Sequence, residues 1–272
     1  DIIEHFKDRA TFVWQDRPLG TAHAVAAAES HIEDEFVLMN CDEFVTRDDI
    51  KKFVRQKQYS IAVYPSDAPE NFGVVETNGT LVTGITEKPA FPKSNLVNAG
   101  LYLMDRHIFD YINRIEKSPR GEYEITDALR LLIKDAELHA FVLNKWVSTS
   151  YPWDVLDVNK IILDEFGTQI ANDVDIRPGA YIEYPVAIGS GSVIGPNCFI
   201  RRYSSIGKNC KVGQAVEIKN SIIMDNTFVS HLSFVGDSII GRNCNIAAGT
   251  TFANLRLDEK NVAMSINGHI VD

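Results

Sequence analysis

The first residue that could do chemistry is Asp42, which follows the apolar run at residues 35–40. That run predicts a buried strand, and α/β sheets bind their ligands at the carboxyl ends of such strands. A carboxylate at that place suits Mg²⁺, which takes oxygen ligands. The same side chain could instead cap the next turn, so its type and position leave both roles open.

The second candidate is His231. Histidine suits a general base, because a neutral imidazole at working pH can take a proton from an attacking nucleophile. Taken alone, a histidine in this segment is more often a polar side chain that projects from a turn. Its neighbours must therefore decide between the two roles.

Two different kinds of structure must position these candidates. Residues 1–166 alternate short apolar runs with helical patterns, which predicts an α/β, Rossmann-like domain. We predict strands at residues 11–15 and 35–40, with an Ala-rich helix over residues 20–32 between them.

A β-hairpin is predicted further along the same domain. The pair Asn78-Gly79 separates the strand-like residues 72–76 from 81–85, and Asn-Gly is the strongest short-range hairpin signal. Such an inserted hairpin often carries part of a binding site. Residues 153–166 are helix-like, and the sequence period changes after them.

From Val174 onward an aliphatic residue recurs at every sixth position, with two one-residue slips. Neither a helix nor an alternating strand has this period, whereas a parallel β-helix of hexapeptide repeats stacks one inward aliphatic side chain per repeat. Residues 167–272 are therefore predicted to form a β-helix, which could be a scaffold alone or an acyltransferase. The inward series is Ile176, Ile182, Ile188, Ile194, Ile200, Ile206, Val212, Ile218, Ile223, Val229, Val235, Ile240, Ile246 and Phe252.

The first domain carries a set of motifs that together resemble the sugar-1-phosphate nucleotidyltransferases. They are, in order, Gln15 to Ala22, Leu38 to Asp42, Asn71 to Val75, Glu87 to Pro89, Asn98 to Tyr102, and Tyr151 to Asp154. The resemblance implies in-line attack of a sugar 1-phosphate on the α-phosphorus of UTP or dTTP, with Mg²⁺ held by Asp42.

The same resemblance assigns roles to individual residues. Gln15, Gly20 and Thr21 would contact the base. The sugar hydroxyls would be held by Gly73, Glu87 and Asn98, and the sugar phosphate by Lys88.

Two features depart from the pattern of this family. The family's Gly-rich loop, which cradles the triphosphate, is absent, and we expect the opening strand and this loop to precede Asp1. Nucleotidyl transfer is not expected without them. Ser148 stands where the family usually has a second acidic metal ligand. Metal binding is therefore expected to rely on Asp42, substrate phosphates and water.

The β-helix resembles the acetyltransferase half of bacterial bifunctional N-acetylglucosamine-1-phosphate uridyltransferases, which implies a left-handed coil and acetyl-CoA as co-substrate. The residues that carry this resemblance lie in the segments 216–219, 231–237 and 240–250 and at Asn254. The natural chain is expected to continue beyond Asp272.

In that family the histidine at the position of His231 is the general base that activates the amine of a hexosamine 1-phosphate. Phe234 replaces the usual tyrosine, which leaves the identity of the amino sugar open. The resemblance further implies a homotrimer. The remaining implied substrate-binding residues are Arg201 and Lys219 for the phosphate, Asn245 for the amino sugar, Asn254 near the acyl group, and Lys260.

Composition narrows the classes of partner. The chain has 272 residues, enough for two domains, and a net charge of −10, which argues against a nucleic-acid binder. No apolar run is long enough for a membrane span. The four cysteines lack metal-binding spacing and predict buried thiols in a reducing cytoplasm.

Two alternatives stay open beside the bifunctional enzyme. One is a single-activity pyrophosphorylase, resembling glucose-1-phosphate adenylyl- or thymidylyltransferases, whose β-helix only assembles subunits. The other is a non-catalytic regulatory subunit like those of the eukaryotic translation-initiation exchange factor. His231 with Lys219 argues against the first, and the retained Glu87 and Asn98 argue against the second.

Overall fold

The computed structural model describes residues 2–56, 59–253, 256–266 and 268–271. It divides into two compact units, Asp1–Ser148 and Thr149–Asp272. This division falls after Ser148, so the helix that precedes residue 166 belongs to the second unit. The domain boundary at residue 166 stays a prediction. Within the described ranges, none of the helices has the length and apolar character needed to cross a membrane.

The first unit combines short helices with a mixed β-sheet. Its α-helices are α1 (Ile2–Phe6), α2 (Thr21–Ala27), α3 (Arg47–Phe53), α4 (Ile108–Ile112) and α5 (Ile125–Asp135). Single 3₁₀ turns lie at Lys7–Arg9, Glu29–His31 and Pro69–Asn71. Its strands are β1 (Phe36–Met39), β2 (Glu43–Val45), β3 (Ser60–Pro65), β4 (Gly73–Asn78), β5 (Leu81–Glu87), β6 (Leu96–Met104), β7 (His139–Val142) and β8 (Trp146–Ser148).

Six of these strands form one sheet in the order β1-β6-β3-β7-β5-β4. β4 also pairs with β6 at Val74 and Val97, so the last five strands close into a ring. β2 and β8 form a separate antiparallel ribbon. The main core packs Ile61, Tyr102 and Leu129 between the sheet and helices α2, α4 and α5. A second core around Phe53 lies beneath α3.

The predicted hairpin and the predicted helix over residues 20–32 are confirmed, because β4 and β5 pair across Asn78-Gly79 and α2 lies inside that range. The prediction of a strand at residues 11–15 is wrong, since this segment has no strand structure. Phe12, Val13 and Trp14 are 38%, 42% and 79% exposed. With no face buried, their apolar character does not produce a strand.

The second unit begins with α6 (Asp154–Phe166) and continues as coils of short parallel strands. Fifteen strands form three five-stranded sheets, and the prediction of a left-handed parallel β-helix is confirmed. Face C contains β9 (Gln169–Ile170), β12 (Ala187–Ile188), β15 (Ser205–Ile206), β18 (Ile222–Ile223) and β21 (Ile239–Ile240). Face D contains β10 (Asp175–Ile176), β13 (Val193–Ile194), β16 (Lys211–Gln214), β19 (Phe228–His231) and β22 (Asn245–Ile246). Face E contains β11 (Tyr181–Ile182), β14 (Phe199–Ile200), β17 (Glu217–Lys219), β20 (Phe234–Gly236) and β23 (Thr251–Phe252). A terminal hairpin pairs β24 (Met264–Ile266) with β25 (His269–Val271).

The two slips in the six-residue period occur at the same corner of the coil. Ile200 pairs with Ile218 one coil on, but Ile206 pairs with Ile223 and Ile223 with Ile240. The corner between faces E and C thus loses one residue in each of two coils. Asn220 and Asp237 lie at these shortened corners with positive φ, which Asn and Asp tolerate better than other non-glycine residues.

Helix α6 is fastened to face C of the β-helix. The Asn159 amide donates to the Tyr203 carbonyl at 2.8 Å, and the Tyr203 hydroxyl donates to Asp164 at 2.9 Å. The Ser205 hydroxyl also donates to Asn159. These contacts assign α6 to the second unit.

Candidate functional site

A close approach of two chain segments builds one end of the candidate site in the first unit. Gly20 has φ of +113°, and a Cβ there would lie 2.5 Å from the Tyr123 carbonyl oxygen. Only glycine fits this backbone. The Thr21 hydroxyl accepts the Ile125 N–H at 2.9 Å and joins the start of α2 to the start of α5. That bond gives Thr21 a structural task, and its predicted contact with the base stays a prediction.

Gln15 lies against this glycine. Its Nε2 donates to the Gly20 carbonyl at 3.2 Å and is 2.8 Å from His23 Nδ1. Gln15 and His23 line a cavity of about 520 Å³ together with Trp14. The structure therefore brings Gln15 and Gly20 together, as their shared predicted role requires.

The three residues predicted to hold the sugar also meet. Gly73 pairs with Glu87 between β4 and β5, and a Cβ on Gly73 would lie 3.0 Å from Glu87 Oε2 and 3.5 Å from Asn98 Cβ. Asn98 Nδ2 donates to the Tyr102 hydroxyl at 2.7 Å, while its Oδ1 accepts the Gly100 N–H at 3.1 Å. The Asn98 amide is thus held in one orientation.

Basic side chains surround Glu87. Arg120 Nη1 is 3.6 Å from Glu87 Oε1 and 3.4 Å from Glu124 Oε1. Burial and the neighbouring Glu124 carboxylate raise the pKa of Glu87, while Lys88, Arg120 and the Thr126 hydroxyl oppose that rise. Lys88 is exposed. Lys88 and Arg120 both line an open cavity of about 640 Å³, which suits an anionic ligand.

Asp42 lies in the turn after β1, where its side chain is exposed. Its neighbour Glu43 is the first residue of β2, pairs directly with Ser148 of β8, and accepts the Ser148 hydroxyl at 3.4 Å. Glu43 Oε2 and the Trp146 indole nitrogen are both buried, and neither makes a hydrogen bond of good geometry with any residue that the structure describes. Burial and the charge of Asp42 raise the pKa of Glu43 to about 8, opposed by Trp146 and Ser148.

The unpaired Glu43 Oε2 is the observation that bears on whether a cation fits here. A buried acceptor without a donor is costly, and an ion is one of the groups that can satisfy it. Within the described ranges no three His, Cys, Asp or Glu side chains gather as a metal site. Asp42 and Glu43 provide two carboxylates, which is how Mg²⁺ is commonly held beside substrate phosphates.

Sequence reasoning missed Glu43, Arg120 and Thr126. A signal for the last two existed, because the polar run Arg120-Gly121-Glu122 directly precedes an amphipathic helix. Nothing in the sequence pairs Glu43 with Ser148, since that contact joins strands 105 residues apart.

In the second unit, two predicted phosphate-binding residues lie at the corner between faces E and C. Arg201 and Lys219 directly follow Ile200 and Ile218, which pair in consecutive coils. Arg201 Nη1 is 3.3 Å from Glu217 Oε1, and Lys219 Nζ is 3.0 Å from Asp237 Oδ2. The structure thus places the two cations together, each beside a carboxylate.

His231 lies at the corner between faces D and E, across face E from Arg201 and Lys219. It ends β19 opposite Gln214, is exposed, and its backbone carbonyl accepts the Ser233 hydroxyl at 2.7 Å. Phe234 follows on face E, and a Cβ on Gly236 would lie 2.7 Å from its ring. Gly236 pairs with Lys219, so the Phe234 ring lies between His231 and the phosphate corner.

The other predicted acetyltransferase residues lie further apart. Asn245 begins β22 and pairs with Phe228, three residues before His231 along the chain. Lys260 lies beyond the last coil and lines a shallow cavity with Arg256 and Glu259. Asn254 lies outside the described residues.

Comparison with known proteins decides the family. A model described as nucleotidyl transferase matches residues 3–165. The chain belongs to the nucleotidyl transferase family. A model of the GMPPB C-terminal domain matches residues 182–271. This nucleotidyl transferase is therefore a two-part chain in sequence as well as in structure.

Curated relatives of this nucleotidyl transferase carry both parts. The chain is 40% identical to the bifunctional protein GlmU of Methanocaldococcus jannaschii, over 100% of this chain and 71% of that protein. It is 36% identical to a bifunctional sugar-1-phosphate nucleotidylyltransferase/acetyltransferase of Sulfurisphaera tokodaii, over 96% of this chain and 70% of that one. The resemblance inferred from the motifs is confirmed.

Relatives with a different name also match. A glucose-1-phosphate thymidylyltransferase of Streptomyces antibioticus is 32% identical over 87% of this chain and 72% of that protein. A crystal structure of a Bacillus anthracis protein assigned the same activity superposes with a TM-score of 0.53 at 27% identity, covering 60% of this chain and 72% of that one. The Rossmann-like fold of the first unit is thereby confirmed.

Proposed function

We propose that this protein acetylates the amine of a hexosamine 1-phosphate with acetyl-CoA and transfers a nucleotide from UTP or dTTP to a sugar 1-phosphate. The products belong to nucleotide-sugar biosynthesis. The observation that carries the proposal is that one chain contains both the Gly73, Glu87 and Asn98 cluster and the His231, Arg201 and Lys219 constellation. A pyrophosphorylase whose β-helix is purely structural would not need His231, Arg201 and Lys219.

In the first unit, Gln15 and Gly20 would contact the base, and Glu87 and Asn98 would bind sugar hydroxyls. The fixed Asn98 amide and the partly buried Glu87 carboxyl can hold a sugar without reorganising. Lys88 and Arg120 are two of the basic residues on the cavity that Glu87 also lines, and they would hold the sugar phosphate as its oxygen attacks the α-phosphorus. Pyrophosphate leaves from the opposite side.

Mg²⁺, when bound, would neutralise charge on the phosphates during this displacement. Asp42 and Glu43 are the residues that would hold it, because they supply one exposed carboxylate and one buried carboxylate oxygen that has no hydrogen bond of good geometry among the described residues. The remaining ligands would be phosphate oxygens and water.

In the second unit, the sugar would lie along face E. Arg201 and Lys219 would bind the phosphate at one end, and their present carboxylate partners, Glu217 and Asp237, keep them in place before substrate arrives. His231 at the other end would take the proton from the amine as the amine nitrogen bonds to the acetyl carbonyl carbon. The carbon–sulfur bond then breaks and CoA leaves as the thiol.

We further propose a cytoplasmic homotrimer. Cys198 and Cys210 are buried free thiols, which suits a reducing compartment. Exposed apolar side chains on the β-helix, among them Phe228 and Leu232, support assembly through this unit.

The test is a pair of substitutions in the full natural protein, each read in two assays. His231→Ala should lower kcat for CoA release from acetyl-CoA and glucosamine or galactosamine 1-phosphate by ~10²- to 10⁴-fold, the usual worth of a positioned base. Its KM for the amino sugar should change little, because Arg201 and Lys219 remain. Asp42→Ala should instead lower Mg²⁺-dependent pyrophosphate release and spare acetylation.

Each assay serves as the control for the other. If His231→Ala keeps wild-type acetylation between pH 6 and 8, His231 is a corner residue and not the base. If the wild type itself releases no CoA with either amino sugar, the single-activity pyrophosphorylase becomes the better reading. If pyrophosphate release survives Asp42→Ala within a few-fold, the metal assignment fails while the acetyltransferase stands.

A further inference from the structure

The cavity beside Gln15 contains a histidine that the proposed reaction leaves without a role. His23 lies on α2, half-buried, and its ring stacks on Tyr123 at 6.5 Å between centroids with the planes 23° apart. Tyr123 is itself fixed, because its N–H donates to the Leu19 carbonyl at 2.8 Å and its carbonyl accepts the Ala22 N–H at 2.9 Å. The imidazole itself contacts the Tyr123 ring on one face and the Gln15 amide at Nδ1.

The hydrogen bonds of Gln15 distinguish its amide nitrogen from its amide oxygen. The group 3.2 Å from the Gly20 carbonyl must be the amide nitrogen, because a carbonyl oxygen only accepts. That same nitrogen is 2.8 Å from His23 Nδ1. Its two hydrogens are thus shared between two acceptors, the Gly20 oxygen and His23 Nδ1.

Two consequences follow for the protonation and polarity of the site. His23 Nδ1 must have a free lone pair, so the neutral ring carries its hydrogen on Nε2. Gln15 Nε2 has no hydrogen left for a ligand, whereas Oε1 accepts no hydrogen bond within the described part of the chain. The Gln15 amide therefore offers a nucleotide an acceptor only.

We propose that His23 is a positioning residue for nucleobase selection: its Nδ1 holds the Gln15 amide so that Oε1, and not Nε2, is presented to the base. This inference rests on the proposed contact of Gln15 with the nucleotide. An acceptor at this place matches the N3–H of uracil or thymine. It opposes the N3 of cytosine, which has a lone pair there. His23 thus favours uridine or thymidine triphosphate over CTP without touching either.

Three substitutions separate this role from a packing role. His23→Leu keeps apolar bulk and removes the acceptor. His23→Asn places an oxygen near the position of Nδ1, while His23→Gln places one nearer the position of Nε2. The ratio of kcat/KM for UTP to that for CTP, measured by pyrophosphate release in the full natural protein, should fall about 3- to 10-fold in His23→Leu, the worth of one neutral hydrogen bond. His23→Asn should restore the ratio and His23→Gln should not.

A purely structural histidine would lower both rates together and leave the ratio unchanged, and that result overturns the inference. So does a failure of His23→Asn to differ from His23→Leu when both melt at the wild-type temperature. If the unsubstituted protein accepts UTP and CTP equally, the contact of Gln15 with the base fails together with the inference, and the wild-type measurement alone reveals it.

The tautomer gives a readout that needs no activity. In ¹⁵N-labelled protein, the His23 ring should show an unprotonated Nδ1 and a protonated Nε2 at neutral pH, and Gln15→Leu should remove the preference. A ring that carries its hydrogen on Nδ1 in the unsubstituted protein would contradict the hydrogen bond on which the inference is built.

Discussion

Ser148 lies directly opposite Glu43 across the β2–β8 ribbon, and its hydroxyl donates to Glu43 Oε1 at 3.4 Å. The serine that stands where the family usually has an acid therefore lies beside a carboxylate on the facing strand. That carboxylate belongs to the residue directly after Asp42.

We expect Glu43→Gln to weaken divalent-cation binding by at least about tenfold, because the substituted side chain keeps its shape but cannot lose a proton to become the carboxylate that would bind the ion. Titration with Mn²⁺, followed by electron paramagnetic resonance of the free ion, measures the affinity directly. Ser148→Ala should have a small effect, since the carboxylate remains. The matched control is Asp48→Asn, which removes an exposed carboxylate on α3 beside Lys51. Equal affinity in Glu43→Gln and the wild type would exclude Glu43 as a ligand.

The β-helix should assemble into a trimer or a multiple of three, because apolar side chains on its outer faces gain from burial against another copy. Light scattering at micromolar concentration measures the mass. Leu232→Glu should shift the protein toward monomer, since the exposed Leu232 lies beside His231 on the proposed contact surface. Leu257→Glu changes a still more exposed leucine beyond the coils and should leave the mass unchanged. A stable wild-type monomer would argue against a shared acetyltransferase site.

A pH-dependent contribution to stability is expected at Asp105. Burial would raise the pKa of this carboxyl, but hydrogen bonds from the His107 ring, the Tyr59 hydroxyl and the His107 N–H hold it below the usual 3.8. Conversely, the bond to Asp105 raises the pKa of His107 above its usual 6.5. The lowered carboxyl stabilises the fold above pH 3.8 and loses this effect as pH falls through its folded pKa. The raised histidine stabilises it below pH 6.5 and loses this effect as pH rises through its folded pKa.

The difference in melting temperature between the wild type and Asp105→Asn should therefore be largest between about pH 4 and 6.5. It should shrink on both sides. His107→Ala should remove the decline at the alkaline side and weaken the one at the acid side, because the His107 ring also helps to lower the pKa of Asp105. A difference that is constant from pH 3 to 8 would show that the Asp105 interactions do not depend on charge.

Ala215 occupies a β-helix corner with φ of +53°, where Asn197 stands one coil below with φ of +47°. A non-glycine residue in this region is strained, and Ala215 is exposed, so it has little packing to lose. Ala215→Gly should raise the free energy of unfolding by about 0.5–1 kcal/mol. Ala187→Gly, in strand β12, should lower it by about as much. Chemical denaturation of the two variants measures both, and a loss in Ala215→Gly would mean that the corner is not strained.

The periodic part of this fold could be predicted from the sequence in detail, because each inward side chain of a β-helix contacts its own counterpart one coil away. Ile194, Ile200 and Val229 are fully buried, as the period requires. The prediction weakens at the two ends, where Ile176 and Phe252 are 47% and 36% exposed because only one neighbouring coil covers them. Period alone does not say where a stack stops.

The site in the first unit could be predicted less completely from the sequence, because it depends on contacts between strands that are far apart along the chain. Motifs of the family located Gly73, Glu87 and Asn98, which the structure brings together. They did not locate Glu43, whose importance depends on its register with Ser148, or His23, whose lone pair acts through Gln15. The apolar run at residues 12–14 was misleading, since hydrophobicity without a partner strand gives no strand.

The coils of the β-helix vary in length at one edge only, the corner that holds Lys219, Asn220 and Asp237. At the other two corners the number of residues between strands is constant. The strands of the three faces therefore pair in the same way whatever the length of the third corner. A residue can thus be gained or lost there without unstacking the solenoid. The same corner carries the proposed phosphate contacts. Substrate preference can therefore diverge among related chains through changes in the length of this corner as well as through substitutions, while the rest of the β-helix keeps its structure.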